Sequence, residues 1–276
     1  MTGKSILITG CSSGIGYDAA HTLSASGWRV FATCRSQTDC ARLRDEGLES
    51  FPLDYEDPDS IATAVDKVLE RTGGKLDALF NNGAYAIPAP VEDIPREAMR
   101  AIFEANLIGY HDLTCRVIPI MRAQGHGRIV NCSSVLGLLA MRWRGAYNAT
   151  KFALEALSDT LRLEMRGTGI HVCLIEPGPI KTNFRTNAIK QFDKWIDWKN
   201  SARADQYESD LLDQLKSGSD GSAFELAPSA VTAKLIRALQ SPRPKARYFV
   251  TIPTYGANIL RRFFPARILD WLLSRG

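Results

Sequence analysis

The sequence contains no apolar run near the twenty residues that a membrane-spanning helix requires. It begins Met-Thr-Gly-Lys-Ser and continues directly into the short apolar run Ile6-Leu7-Ile8. This start lacks the basic segment, long apolar stretch and small-residue cleavage site of a secretory signal. We therefore expect a cytoplasmic protein without a transmembrane segment.

Cysteine and histidine are few, and neither has the spacing of a metal site. The six cysteines include no Cys-x-x-Cys pair, which argues against a zinc site or a redox pair. We expect reduced thiols, which are the rule in the cytoplasm. The four histidines show no metal-ligand spacing either, so we expect no bound metal.

The charge is small and evenly distributed. A formal net charge of +4 is low for 276 residues, and no basic stripe predicts a nucleic-acid partner. With 45% apolar and 23% charged residues, the composition is that of an ordinary globular protein with one large core. We expect a single domain over residues 1–276.

Short β-rich runs alternate with amphipathic stretches, a pattern typical of a parallel sheet covered by helices on both faces. The predicted strands are Ser5–Thr9, Arg29–Cys34, Glu49–Leu53, Ala78–Asn81, Arg128–Cys132, His171–Glu176 and Tyr248–Thr251. The predicted helices are Gly14–Ser26, Asp59–Thr72, Arg96–Gln124 and Tyr147–Arg166. This order predicts an α/β, doubly wound (Rossmann-type) seven-stranded parallel sheet, which binds ligands at the carboxyl ends of its strands.

A glycine-rich loop, Thr9–Gly16, joins the first predicted strand to the first helix. In this context Gly10 allows a tight turn, Gly14 lets the backbone approach a pyrophosphate, and Gly16 allows close packing of helix on strand. The helix N-terminus then faces the phosphate charge. The loop predicts a dinucleotide site, although its spacing alone would also suit a flexible turn. Further expected contacts from this loop are Ser12, Ser13 and Ile15.

The residues after the second strand bear on which nucleotide binds. Arg35 lies nineteen residues after Gly16, and no acidic residue ends the strand. An acidic residue here takes the ribose hydroxyls of NAD, whereas an arginine accommodates the 2′-phosphate of NADP. We predict NADP(H), with NAD(H) as the alternative if Arg35 is only a surface residue. Asp54 is a candidate acceptor for the adenine amino group, or else a cap of the turn Tyr55–Pro58.

Tyr147 and Lys151 lie four residues apart, thirteen residues after Ser134. Positions i and i+4 share one helix face, so the Lys151 ammonium is expected to lower the pKa of the phenol from about 10. Ser134 would hydrogen-bond a substrate oxygen while Tyr147 donates or removes the proton. A Tyr-x-x-x-Lys pair alone is usually a surface pair. Its position behind the glycine-rich loop predicts a hydride-transfer enzyme.

In these motifs the chain resembles the short-chain dehydrogenase/reductase family over essentially its full length. Its Tyr-Asn-Ala-Thr-Lys-Phe-Ala-Leu-Glu-Ala-Leu is similar to the hydroxysteroid and retinol dehydrogenase branch. The resemblance implies the catalytic set Asn106, Ser134, Tyr147 and Lys151. In that set Asn106 is implied to hold a water for proton relay, and Lys151 to bond the nicotinamide ribose. Contacts to the nicotinamide and its phosphates are implied for Tyr147, Lys151, Pro177, Gly178, Ile180 and Thr182.

One motif departs from the family pattern. The family's Asn-Asn-Ala-Gly is Asn81-Asn82-Gly83-Ala84 in this chain, and the resemblance implies cofactor contacts for Asn81 and Gly83. The exchange puts a Cβ where the family has none, but both residues are small, so we expect binding to persist. The resemblance also implies a homodimer or homotetramer paired through the two long helices.

A long segment, residues 183–226, has no strand pattern but carries aromatic residues among many charges: Phe184, Phe192, Trp195, Trp198, Tyr207 and Phe224. Such segments are usually functional lids or disordered, so we predict a substrate-loop insertion, with a solvated helical insertion as the alternative. Five apolar residues after Ser134 also predict a pocket wall or a core edge: Leu136, Leu138, Leu139, Met141 and Trp143. The predicted substrate is a small molecule with a bulky apolar body that carries an alcohol or carbonyl group, as in a steroid, a retinoid or an aldehyde.

The final segment, residues 256–276, interleaves apolar residues with Arg261, Arg262, Arg267 and Arg275. It has the pattern of a basic amphipathic segment that lies on a membrane surface, although packing against the protein itself is the favoured alternative. A second alternative function is a dinucleotide sensor without catalysis. The four filled catalytic positions argue against that sensor.

Overall fold

Parallel strands form one seven-stranded sheet within residues 3–216 and 224–273, the part of the chain that the computed structural model describes. The strands are β1 (Ser5–Ile8), β2 (Arg29–Cys34), β3 (Glu49–Pro52), β4 (Ala78–Asn81), β5 (Gly127–Cys132), β6 (Ile170–Glu176) and β7 (Arg247–Phe249). Their order across the sheet is β3-β2-β1-β4-β5-β6-β7. The order reverses between β1 and β4, and the crevice at such a switch point is where these sheets bind ligands.

Helices cover both faces of the sheet. They are α1 (Gly14–Ala25), α2 (Gln37–Asp45), α3 (Pro58–Thr72), α4 (Arg96–Phe103), α5 (Gly109–Gln124), α6 (Gly145–Glu164), α7 (Phe184–Trp195), α8 (Ala204–Gln206), α9 (Leu212–Lys216), α10 (Ser229–Gln240), α11 (Ile252–Phe263) and α12 (Ala266–Leu273). Alternation along β1 sends Ile6 and Ile8 into the core under α1 and α10, and Leu7 into the core under α3 and α5. The predicted doubly wound α/β fold in a single domain is confirmed.

The predicted strand bounds agree with the observed ones to within two residues. The predicted helix Arg96–Gln124 is instead interrupted by a π-helical turn, Glu104–Ile108. Helix α2 was not predicted, although Ser36 caps it by accepting hydrogen bonds from the N–H groups of Thr38 and Asp39. The spacing Ser-x-x-Asp at its start was an available signal.

The segment 183–226 is largely helical between Phe184 and Lys216, with short non-helical connections, and Leu226 forms an isolated bridge with Ile180. It comprises α7, α8, a π-helical turn at Tyr207–Leu211, and α9, while residues 217–223 lie outside the described residues. Phe192 and Tyr207 are buried and share a hydrophobic cluster with Trp143 and Tyr147. The segment thus forms helices packed on the body, and its predicted role as a substrate-loop insertion stays a prediction.

The last two described helices, α11 and α12, pack on the body beside β5. Their inner contacts join Ala257, Leu269 and Leu273 to Leu138 and Leu139. No helix within the described ranges is both long and apolar enough to cross a bilayer. All six cysteines are free thiols.

Candidate active site

The four predicted catalytic residues converge at the carboxyl ends of β4 and β5. Ser134 follows β5, and the first turns of α6 bring Tyr147 and Lys151 onto the same buried face. The Lys151 Nζ atom lies 5.5 Å from the centroid of the Tyr147 ring and donates a 2.8 Å hydrogen bond to the Cys132 carbonyl oxygen. Ser134 is near enough to the Tyr147 phenol to favour a lower pKa of that phenol. The structure therefore brings the predicted proton donor, its partner serine and the lysine together.

Asn106 sits in the π-helical turn between α4 and α5, and it is fully buried. Its Nδ2 atom donates to the Tyr85 carbonyl oxygen at 2.8 Å and to the Thr150 hydroxyl at 3.3 Å, while its Oδ1 accepts from the Tyr85 N–H at 3.1 Å. Single π-helical turns inside helices occur frequently at functional sites. These contacts anchor the loop after β4 to α6, and the implied water-holding role of Asn106 stays a prediction.

The pKa shifts of Tyr147 and Lys151 are not the ones expected from the sequence. Burial, together with the nearby Cys132, raises the pKa of the Tyr147 phenol above its ordinary value, and Ser134 only partly offsets this. Burial also lowers the pKa of the Lys151 ammonium to about 8, against the opposing influence of Cys132 and Glu155. Removal from water therefore outweighs any stabilisation of the phenolate by Lys151 in the folded chain, and the expected lowering of the phenol pKa by Lys151 stays a prediction. The phenol is protonated at neutral pH.

Three loops meet at the switch point of the sheet and form a glycine-lined cradle. Gly14 has φ +60°, and a Cβ at this position would lie 2.9 Å from the Thr182 Cγ2 atom. Gly10 has φ +69°, and a Cβ there would lie 2.6 Å from the Gly83 Cα atom. Side chains are thus excluded from both positions by conformation and by space.

The cradle meets the requirements of a dinucleotide phosphate group. Within the described residues, Ser13 places no side-chain cap on the start of α1, and the first turn of that helix carries no acidic residue. The N–H groups of α1 are therefore free to face an anion. Ser12, Ser13, Ile15 and Gly16 lie on this same loop and first turn.

The exchange of Gly83 and Ala84 leaves this cradle intact. A Cβ at Gly83 would lie 3.4 Å from the Gly10 Cα and 3.5 Å from the Tyr55 Cε2, which is close but ordinary contact. Glycine at position 83 therefore gives its neighbours slightly more room than alanine would. Gly10 tolerates a side chain less well than position 83, because the backbone of Gly83 lies directly against it.

The side chain of Asn81 takes part in a buried polar network. Its Oδ1 accepts from the Tyr55 hydroxyl at 2.8 Å, and its Nδ2 donates to Thr114 at 3.2 Å and to Asn131 at 2.9 Å. The side chain is fully buried beneath the strand ends. Asn81 therefore holds β4, β5 and the loop after β3 together through its side chain, and its implied cofactor contact stays a prediction.

At the outer edge of the crevice, Arg35 is exposed after β2. Burial and the charge of Asp54 raise the pKa of Glu56, and the Arg35 charge acts against them, so these charges lie near one another. Asp54 accepts from the Glu56 N–H at 3.1 Å, which is the turn-capping alternative for this residue. Glu56 is an acidic neighbour of Arg35 that the sequence reasoning missed.

An apolar cluster lies against the Tyr147 phenol ring. The Phe184 ring meets it edge-on at a centroid distance of 5.3 Å. Trp143, with φ 63°, is buried in the same cluster, and its indole N–H donates to Asp210 Oδ2 at 2.8 Å. Of the five predicted wall residues, Leu136 and Trp143 belong to this cluster. Leu138 and Leu139 pack under α11 and α12 instead, and Met141 is 49% exposed.

The sheet order, the glycine-lined cradle and the Ser-Tyr-Lys cluster define a nucleotide-dependent oxidoreductase. The chain belongs to the short chain dehydrogenase family, whose profile matches residues 4–192. It is 41% identical over 272 residues to the uncharacterized oxidoreductase YbbO of Escherichia coli K12, covering 98% of this chain and 94% of that protein. It is thus an enzyme of the class that interconverts CH–OH and C=O groups.

Characterised relatives include human 17-beta-hydroxysteroid dehydrogenase type 6, with 32% identity over 284 residues, 99% of this chain and 88% of that protein. Mouse retinol dehydrogenase 7 is 33% identical over 255 residues, 89% of this chain and 79% of that protein. These matches confirm the resemblance to the hydroxysteroid and retinol dehydrogenase branch.

Two solved structures carry nucleotides. A short chain dehydrogenase/reductase from Burkholderia phymatum in complex with NAD has 25% identity and a TM-score of 0.79, covering 99% of this chain and 96% of that one. A variant of actinorhodin polyketide ketoreductase with NADPH has 25% identity and a TM-score of 0.72, covering 90% of this chain and 95% of that one. Structures with this fold thus hold either nucleotide.

Proposed function

We propose that the protein is an NADP(H)-dependent reductase of a bulky apolar aldehyde or ketone, and that the reverse oxidation of the alcohol uses the same residues. The observation that carries the proposal is the convergence of Tyr147, Lys151 and Ser134, with the Tyr147 phenol buried against an apolar cluster. A protonated phenol suits donation to a carbonyl oxygen as that oxygen gains charge. Bound nicotinamide supplies the hydride, and the protein supplies orientation and the proton.

Each catalytic residue has one task in this proposal. Tyr147 donates its proton to the substrate oxygen, and the Ser134 hydroxyl hydrogen-bonds the same oxygen while negative charge develops on it. The Lys151 ammonium is positive below about pH 8 and stabilises the phenolate that remains. Asn106 keeps the loop after β4 at a fixed distance from α6 through Tyr85 and Thr150.

The apolar substrate class follows from what surrounds the phenol. Phe184 and Trp143 lie in the same cluster as Tyr147, and α7 brings Phe192 into it. We propose that residues 183–226 close over the substrate and exclude water from the reacting oxygen. The relatives that act on steroids and retinol by name support the same class.

A panel of substrates tests this proposal. Purified protein is incubated with NADPH or NADH and with retinal, a ketosteroid, a long aliphatic aldehyde or a small polar sugar, and nucleotide oxidation is followed by its absorbance. We expect turnover of the apolar carbonyls at least about tenfold above the sugar in kcat/KM, since each buried apolar group adds binding energy. Activity only on the sugar contradicts the substrate class. Nucleotide binding without turnover of any carbonyl favours the sensor.

The preference for NADP(H) rests on Arg35, which is exposed at the end of β2 where the adenosine ribose would lie. Glu56 acts in the opposite sense, because its carboxylate is near the same position. We expect Arg35→Asp to lower the ratio of kcat/KM for NADPH to that for NADH by roughly 10–100-fold, the value of one charge-assisted hydrogen bond. Arg166→Asp, at the far end of α6, is the matched control and should leave the ratio unchanged. An unchanged ratio in the Arg35 variant would remove this residue from cofactor selection.

We also propose that two copies pair through α5 and α6. A groove between these helices is lined by both apolar and polar residues, and Leu157 and Leu163 are exposed on α6 at 38% and 53%. Pairing about a two-fold axis would cover these side chains in both copies. A cytoplasmic homodimer or homotetramer is the assembly we propose.

A further inference from the structure

The described surface has one concentration of apolar side chains. Eight of the fifteen large apolar side chains exposed among the described residues lie between Ile252 and Leu272. On α11 they form a stripe, since Ile252, Tyr255, Ile259 and Phe263 repeat at helical spacing on one face. Ile252 is 71% and Phe263 77% exposed.

The apolar stripe of α11 faces away from the protein body, whereas that of an ordinary surface helix faces the core. Helices of globular proteins normally bury their large apolar residues against the core. The face of α11 that packs on the body instead carries the small residues Thr254 and Ala257, which are 0% and 3% exposed. Helix α11 is thus attached through small side chains while its large apolar ones face outward.

Helix α12 extends the same surface and adds charge. Its exposed apolar residues are Ile268, Trp271 and Leu272. Residues 252–273 contain three arginines, Arg261, Arg262 and Arg267, against one acidic residue, Asp270. Arg262 lies seven residues after Tyr255 and so borders the stripe, and Lys234 Nζ donates to the Tyr255 hydroxyl at 3.4 Å on the same side. Cations therefore border the exposed apolar residues.

We propose that this C-terminal apolar face, formed by Ile252, Tyr255, Ile259, Phe263, Ile268, Trp271 and Leu272, docks the protein onto an anionic membrane surface. Both helices would lie in the plane of the interface, with the apolar face among the acyl chains and the bordering cations at the phosphate groups. A helix that combines an apolar stripe with basic residues binds anionic lipid both by burying its apolar side chains and by attracting the phosphate charge.

A second copy of the chain is the competing occupant, and the charge argues against it. A two-fold interface buries the same patch of both copies, so Arg262, Arg267 and Lys234 of each copy would enter one interface with Asp270 as the single acidic residue of residues 252–273. Like charges placed together without a counterion oppose association. Lipid phosphates supply the opposite charge that this border requires.

The C-terminal apolar face lies next to the active site, and this placement holds whatever reaction the site catalyses. Helix α11 packs on the turn Val135–Gly137 directly after Ser134, and Arg261 Nη1 donates to the Gly137 carbonyl oxygen at 3.5 Å. Docking through α11 and α12 would hold the serine side of the crevice near the bilayer. An apolar substrate dissolved in the membrane would then have a short path to the site.

Vesicle flotation tests the proposal with the full-length protein. Vesicles of phosphatidylcholine alone, or with phosphatidylglycerol at three parts in ten, are floated with wild type, Ile259→Glu/Phe263→Glu, or Val91→Glu. Val91 is 67% exposed on a different surface and is the matched control. We expect wild type and the Val91 variant to float with the anionic vesicles, and the double variant to float about tenfold less. High salt should weaken binding, because it screens the cations.

Two results would overturn the proposal. One is equal flotation of wild type and the double variant. The other is the absence of flotation of wild type together with conversion of a wild-type oligomer to monomers by the double variant, measured by sedimentation velocity. The second result would assign the face to contact between copies. Both are readable whatever the substrate panel shows, so failure here is distinct from failure of the proposed reaction.

Discussion

Replacing Tyr147 with phenylalanine is expected to lower kcat by roughly 10²–10⁴-fold while NADPH affinity changes little. The variant removes the one hydroxyl that we assign as proton donor. It keeps the ring that packs against Phe184 at 5.3 Å, so the local structure should persist. Turnover with the best carbonyl of the panel and quenching of NADPH fluorescence measure the two effects separately.

Tyr248→Phe is the matched control for this experiment. Tyr248 is also a buried tyrosine with a hydrogen-bonded hydroxyl, which accepts from the Lys245 N–H at 3.1 Å, but it lies on β7. We expect its turnover to stay within about twofold of wild type, since only one hydrogen bond distant from the reacting atoms is removed. Full turnover in the Tyr147 variant would show that another group supplies the proton.

The sequence pattern was sufficient for the relative positions of Tyr147 and Lys151, because spacing on a helix depends only on helical geometry. It was insufficient for their pKa values. The phenol is removed from water by Phe184, which lies in a segment where no strand or helix was assigned. Desolvation depends on such tertiary neighbours, so the direction of the Tyr147 pKa shift became visible only in the structure.

The strands could be predicted from the sequence pattern, whereas the polar network beneath them could not. Short β-rich, apolar runs located the seven strands to within two residues, since a parallel sheet covered by helices buries both faces of its strands. The orientation of Asn81 into the interior depends on Tyr55, Thr114 and Asn131, which come from three other elements. In the sequence, Asn106 likewise indicates only a polar residue within an apolar helix. Nothing there predicts the π-helical turn in which it lies.

A buried cluster of charges behind Lys151 had no signal in the sequence at all. Arg247 on β7 pairs with Glu155 Oε2 at 2.9 Å, Asp159 Oδ2 at 2.7 Å and Glu176 Oε1 at 3.0 Å. Glu155 and Glu176 are 5% and 0% exposed. Since Glu155 follows Lys151 by one helical turn, this cluster supports the floor of the active site from below.

Arg247→Met is expected to lower the free energy of unfolding by about 3–5 kcal/mol at pH 8, the cost of leaving the buried Glu155 carboxylate without its cation. Urea unfolding followed by circular dichroism measures it. Arg162→Met is the matched control. It removes a 3.0 Å pair with Asp159 whose side chains are 34% and 37% exposed, and should cost at most about 1 kcal/mol. A loss in the Arg247 variant no larger than in this control would show that the cluster contributes little.

The loss in the Arg247 variant should also depend on pH. Burial raises the pKa of Glu155, and burial with the charge of Glu155 raises that of Glu176. An unfolded glutamate has a pKa of about 4.3, so the folded state binds more protons above that pH and loses stability as pH rises through the folded values. Glu176, whose folded pKa is about 9, stays largely protonated at both pH values, so the pH dependence of the loss comes from Glu155. Removing Arg247 raises the pKa of Glu155 further, so the loss should be larger at pH 8 than at pH 5.5. Adding Glu155→Gln, which cannot ionise, should restore part of the stability at pH 8 and little at pH 5.5. Equal losses at the two pH values would contradict this account.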